Sequence, residues 1–170
     1  MKKILFYILL PILIGCTKSH EEQPEFKLVL NSAYQIDDRK DSITTFRCSA
    51  DQKILPSSVL KMKFINQNLI EIACSHYSGY GGEDIVFQLS SDLSISNVKF
   101  DYASDNEGGI TETYKIEKFK LTLSRNPFKE GANALQGEFS MTGKIKVDPD
   151  SWFKPSFEED LVYSSLIYCK

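Results

Sequence analysis

The sequence predicts an all-β domain, an antiparallel barrel or sandwich of eight or nine strands, and three observations predict it. Apolar residues recur with period two along most of the chain. Clusters of turn-forming residues interrupt these runs at short intervals. Eleven Phe and eight Tyr in 170 residues supply the bulk a β core needs. The length fits one domain, and neither an internal repeat nor an interdomain linker divides it.

Phe26, Leu28, Leu30, Tyr34 and Ile36 form the first alternating run. Turns at 37–42 and 50–57 flank a short segment that carries Phe46 and Cys48. Leu60, Met62 and Phe64 lead through Asn66-Gln67-Asn68 into Ile70, Ile72 and Cys74, a hairpin signal. After a turn at 76–83 come Ile85, Phe87 and Leu89, then a turn at 90–92. Two long segments switch parity midway. Leu93 and Ile95 are odd but Val98, Phe100 and Tyr102 even; Tyr114 and Ile116 are even but Phe119, Leu121 and Leu123 odd. Such a one-residue slip is the mark of a β-bulge. Turns at 103–109 and 124–133 separate these runs from their neighbours.

Residues 135–147 alternate most clearly, with Leu135, Phe139, Met141, Ile145 and Val147 on one parity. Gly137 and Gly143 share that inward parity, which predicts close approach of another backbone. In the tail, Ser156-Phe157-Glu158-Glu159 fits a capping box, whereas Val162, Tyr163, Ile167 and Tyr168 favour a strand. One short helical turn and then a last strand ending near Cys169 is the expectation.

The first residues differ from all the rest. Met1-Lys2-Lys3 precedes an uncharged run from Ile4 to Ile14, then Gly15-Cys16. This run suits a signal peptide and falls short of the roughly twenty apolar residues of a spanning helix. Leu13-Ile14-Gly15-Cys16 resembles the lipobox of bacterial lipoproteins. The resemblance implies cleavage before Cys16, a diacylglycerol on its sulfur and acylation of the new amino group, so that acyl chains hold the protein to a membrane. The implied organisation is a signal peptide at 1–15, a lipidated cysteine and polar tether at 16–25, and one β-rich domain at 26–170. Thr17 after the cysteine resembles lipoproteins released to the outer membrane. Lys18 with Glu21 and Glu22 resembles the surface-export signal of Bacteroidota lipoproteins, although Ser19 and His20 intervene, and Asp41-Ser42-Ile43 resembles the O-glycosylation tripeptide of that phylum. The expected location is the outer membrane, facing either the periplasm or the cell surface.

Loss of residues 1–15 removes Lys2 and Lys3 and no acid, taking the net charge from −3 to −5. An acidic domain without clustered Lys and Arg excludes nucleic acid as a partner. No cofactor is expected, and no metal: Cys74-Ser75-His76 offers too few ligands for zinc. Asp101, Asp105, Asn106 and Glu107 do not follow a calcium-loop spacing and read as a solvated turn. Gly79-Tyr80-Gly81-Gly82 lacks the lysine of a phosphate loop and reads as a β-turn. His76 reads as a loop histidine; a triad with Ser75 or Ser78 and Asp84 has no nucleophile-elbow pattern behind it, and the protein is expected not to be an enzyme.

Once Cys16 is lipidated, Cys48, Cys74 and Cys169 remain. An oxidising envelope favours one disulfide. If strands run up and down without interruption, Cys48 and Cys74 lie at one end on inward parity, which favours a Cys48–Cys74 bridge. A plain meander puts one strand between them, roughly 9–10 Å, so the strand order must break near 50–57 for that bridge to form. The same alternation gathers 76–83, 103–109, 148–160 and the start of the first strand at one end, and sends Arg125 and Phe128 to the other.

The first end carries Tyr77, Tyr80, Trp152 and Phe153, aromatic anchors with a polar rim, and is the expected binding surface. A protein partner is the first reading, such as a toxin or cell-wall hydrolase that the domain inhibits or confers immunity against. Small lipid-anchored β domains that inhibit lysozyme are analogous: Ser78-Gly79 resembles the start of their Ser-Gly-x-x-Tyr motif, but Gly82 stands at the tyrosine position and no inhibitory residue is carried over. A glycan stacking on Tyr80 and Trp152 is the alternative partner, and a hydrolase the third reading.

Overall fold

A computed structural model of the protein describes residues 23–34, 44–48, 58–104, 110–130, 135–149 and 154–169. Cys16, Trp152, Phe153 and the tripeptide at 41–43 lie outside them. In chain order the elements are β1 (Glu25–Leu30), β2 (Thr45–Cys48), β3 (Ser58–Asn66), β4 (Leu69–Tyr77), β5 (Gly81–Ser90), β6 (Ile95–Ser104), β7 (Ile110–Leu123), α1 (Pro127–Glu130), β8 (Gln136–Pro149) and β9 (Phe157–Tyr168). Among the described residues these nine strands form one sheet, in the order β1-β7-β8-β9-β2-β3-β4-β5-β6. Its two edges curl back until β6 lies beside β7 and β1, a nearly closed barrel.

The all-β class holds, with mixed rather than purely antiparallel pairing. β1 joins β7 in parallel, and β2 is parallel to both β3 and β9. No local signal announces such pairs: β1–β7 and β2–β9 join segments far apart in sequence, β2 and β3 are consecutive but not joined by a tight hairpin turn, and register is decided by tertiary contact. β1 also begins opposite Lys118, halfway along β7, so the chain enters at the barrel wall rather than at an end.

Both predicted bulges are present. Register slips between Ile116 and Lys118 opposite β8, and β6 gains a residue where Val86 pairs Lys99 but Gln88 pairs Ser96. Asn97 takes φ 52° at the second slip. The glycine expectation also holds: a Cβ on Gly143 would overlap the Lys115 carbonyl oxygen beside the first bulge, and one on Gly137 the Thr122 carbonyl oxygen. The expected helical turn at 156–159 is absent, since Phe157 starts β9 and the ladder with β8 runs from Val147–Phe157 to Gln136–Tyr168. A local capping box loses to a complete strand pairing. The helical turn lies instead at α1, where Asn126 caps it by accepting from the Phe128 N–H (2.9 Å) and Pro127 takes the first helical position.

Inward side chains fill the middle of the barrel. Phe46, Phe87, Phe119 and Phe139 are essentially inaccessible, and Phe139 lies within 5.5–6.3 Å of the other three rings and of Tyr163. Phe128 of α1 packs against this core at the end where β7 finishes.

The disulfide joins Cys48 to Cys169, Cα atoms 5.0 Å apart, and not to Cys74. Arg47 pairs Tyr168, so the next residue on each strand sits side by side across the parallel β2–β9 pair. Cys48 also pairs Leu60, and Leu60 pairs Cys74, which leaves a whole strand between those two cysteines. The break in strand order near 50–57 that a Cys48–Cys74 bridge required is absent: β2, β3 and β4 are consecutive neighbours, so β3 separates the two cysteines. β2 runs parallel to β3, against the expected alternation, and brings Cys48 beside β9. Cys74 is buried and unpaired, and burial pushes its thiol pKa up, so it behaves as a small apolar side chain.

Candidate functional site

Strands β4, β6 and β8 end where β5, β7 and β9 begin, and these ends form the mouth of the barrel. Its most prominent feature is the β4–β5 hairpin. Ser78 N–H donates to the Gly81 carbonyl (2.9 Å), leaving Gly79 and Tyr80 as a two-residue loop. Gly79 takes φ +84° while Tyr80 does not enter positive φ, the arrangement of a II′ turn matched to strand twist. The glycines after it serve the two faces. Gly82, opposite Tyr77, leaves room for the Tyr77 ring on the outer face; Gly81 leaves room for Tyr102 on the inner face. The Tyr77 hydroxyl donates to Asp84 (3.3 Å). Tyr80 is left at the tip, 85% exposed, with Tyr77 at 57%.

Inside the mouth the lining is polar. Ser58, His76, Glu83 and Tyr102 are register partners across β3, β4, β5 and β6 and share the inner face. Ser58 Oγ and His76 Nδ1 are hydrogen-bonded at 2.7 Å. The Tyr163 hydroxyl and one Glu83 oxygen are both shut off from solvent. They lie close enough for the carboxylate to add to the rise that burial gives the phenol pKa. Tyr114 bonds Glu112, and burial and then that carboxylate raise its pKa as well. Phe100 touches both Tyr114 (4.9 Å) and Tyr163 (5.7 Å), joining these groups into one lining.

Of the four aromatic anchors predicted from sequence, Tyr77 and Tyr80 share this hairpin, and Trp152 and Phe153 lie outside the described residues. The triad reading fails on parity. Ser75 and Asp84 face outward while His76 faces inward, and the Ser78 hydroxyl is turned to the Gly81 carbonyl (3.2 Å). His76 is a strand residue rather than a loop one, because β4 runs on to Tyr77. Its partner Ser58 was hidden in sequence by the polar stretch before it, which reads as a turn. Among the described residues no hydrogen bond joins His76 to a carboxylate, and no group of three His, Cys, Asp or Glu residues is placed to hold a metal ion. The opposite end differs: Phe128 packs into the core there, so it is not a free anchor.

Two shallow grooves mark the outer wall. One, about 170 Å³, includes Glu138, which accepts from the Tyr34 hydroxyl (3.2 Å). The other, about 350 Å³, is lined by Lys144 and Lys146, which are paired with Asp160 and Asp148. Comparison with known protein families, characterised proteins and solved structures gives no match to this chain.

Proposed function

We propose that this chain is a lipid-anchored protein of the outer membrane, facing the periplasm or the cell surface, and that its barrel mouth binds a partner protein without catalysing a reaction. The observation that carries the binding reading is Tyr80, held 85% exposed at the tip of a hairpin whose turn, glycines and Tyr77–Asp84 bond fix its direction. A large ring presented on a rigid support loses little entropy on binding, which is why tyrosines dominate binding energy. An inhibitor or immunity partner of a toxin or cell-wall hydrolase fits this build. The alternative is a glycan stacking on the same ring.

Tyr80→Ala is expected to reduce partner capture by about tenfold or more while the melting temperature stays unchanged, since the ring supports no core contact. Pull-downs from envelope and secreted fractions measure this, and a glycan array run beside them tests the alternative. A melting temperature that falls while capture holds would show that Tyr80 serves the fold and that the binding surface lies elsewhere.

The anchor reading rests on Leu13-Ile14-Gly15-Cys16. Cys16→Ser is expected to release the protein into the soluble fraction and abolish incorporation of labelled palmitate. Membrane attachment of that variant after a high-salt wash would contradict it. The eight residues 17–24 before β1 have a contour length of at most roughly 26–29 Å at 3.3–3.6 Å per residue, longer than an estimated ~15 Å radius of gyration for a 155-residue domain. Such a tether lets the mouth turn away from the bilayer.

A further inference from the structure

β6 and β1 end the strand order, and among the described residues no ladder closes the barrel between β6 and the β1–β7 pair. β7 has 14 residues, and β1 covers only those at 118–123, in parallel. Residues 110–117 keep a free edge on the side away from β8. The phase of the neighbouring ladders sets which backbone groups point into this seam. Ser90 N–H donates to the Ser94 carbonyl, so even-numbered residues of β5 bond β6, and Asp84 and Val86 oppose Asp101 and Lys99. Phe100 and Tyr102, alternating with those two, turn their N–H and C=O into the seam. Ser124 N–H donates to the Gln136 carbonyl, so even-numbered residues of β8 bond β7, and Lys144 and Lys146 oppose Lys115 and Thr113. Glu112, Tyr114 and Ile116 therefore turn theirs into the seam from the other side.

The Phe100 and Tyr114 rings meet at 4.9 Å and floor the seam from inside the barrel, where both, with Ile116, belong to or pack against the core. The outward positions beside it are polar: Asp101, Thr111 and Thr113. A row of N–H and C=O groups repeating about every 7 Å is matched by another extended backbone. β1 shows what this edge takes. It comes from a distant part of the chain, lies along the lower part of the same β7 edge, and is followed by Asn31, whose N–H donates to the Leu123 carbonyl (2.8 Å). The upper part runs to the mouth, where Tyr102 is 44% exposed. We infer that the upper seam receives an extended segment of the partner protein, which adds as a strand beside β7 above β1. Its apolar residues turn toward Phe100, Tyr114 and Ile116 and its polar ones outward. This inference rests on the binding reading above and names the form of the partner's contact.

The test is amide hydrogen exchange, read by NMR on the full-length protein, alone and with a capped eight-residue peptide of alternating threonine and valine. The same peptide N-methylated at every valine, which keeps the side chains and loses one row of donors, is the control. In the free protein the amides of Phe100, Tyr102, Glu112, Tyr114 and Ile116 are expected to exchange at least about tenfold faster than those of Lys115 and Thr113 on the β8 side. The unmodified peptide is expected to slow them saturably, and the N-methylated one about tenfold more weakly or not at all. E112P removes one seam-facing N–H at an exposed position and spares the β7–β8 ladder. It is expected to bind the peptide about tenfold more weakly than E112A, which keeps that N–H. Slow exchange at these amides in the free protein, or equal slowing by both peptides, would overturn the inference. Slowing that grows with protein concentration alone, alongside dimer formation, would also overturn it, in favour of a second copy of this chain. A partner lost by Tyr80→Ala but held equally by E112P and E112A sinks the strand site and leaves the binding reading standing. A partner held by all three variants sinks both.

Discussion

Replacing Cys48 and Cys169 together by alanine is expected to lower stability by about 2–5 kcal/mol, with the melting temperature falling by roughly ten degrees. The bridge closes a sequence separation of 121, and the chain-entropy account puts the effect of a loop that long near 5 kcal/mol. It also fastens the weakest part of the sheet. β2 has only four residues, and it is the strand that links β9 to β3. Without the bridge, the β9–β2–β3 seam depends on short ladders and on Phe46 in the core. Thermal melts with and without dithiothreitol check this. The native protein is expected to lose the same amount on reduction, whereas Cys74→Ala is expected to keep its full response to the reductant. A melting point indifferent to reduction, or a bridge to Cys74 in non-reducing peptide maps, would contradict the arrangement.

Phe139→Ala is expected to cost about 3–5 kcal/mol, the range for truncating a fully buried aromatic ring. The ring stacks with Phe46, Phe119 and Tyr163 and lies tilted against Phe87, so its removal leaves a cavity bordered by four strands besides its own. Those neighbours are themselves packed and have little freedom to collapse into the space. Val162→Ala, on the outer face of β9 and 75% exposed, is expected to change stability by less than about 0.5 kcal/mol. Chemical denaturation of the two variants measures the contrast; comparable losses would mean that Phe139 does not hold the centre of the core.

Period-two parity made the strands legible because each buries one face. The same parity exposed both bulges, and it marked Gly137 and Gly143 as points of backbone contact before any neighbour was known. It carried no information on partners. Thr45–Cys48 reads as a short extended piece whichever strands flank it, and a parallel neighbour far along the chain leaves no local trace. The Cys48–Cys74 expectation failed for that reason: inward parity was right, but the uninterrupted alternation was not, since β2 runs parallel to β3 and opposite to β4, and β3 lies between the two cysteines. The site was legible in the same proportion. Tyr77 and Tyr80 stood out as aromatic residues among turn glycines. The polar inner ring did not, because Ser58, His76 and Glu83 sit at strand ends that resemble loops until the pairing aligns them.

The claim that the mouth is the binding face is tested most directly by site-specific photo-crosslinking in cells producing the full-length protein. A photoreactive phenylalanine is placed in turn at Tyr80 and Tyr102, both at the mouth, and at Phe64, 48% exposed near the far end of β3. The expected result is one and the same adduct from positions 80 and 102, and none from 64. An adduct from position 64 with none from 80 or 102 would contradict the account and move the binding face to the β3–β4 end of the barrel.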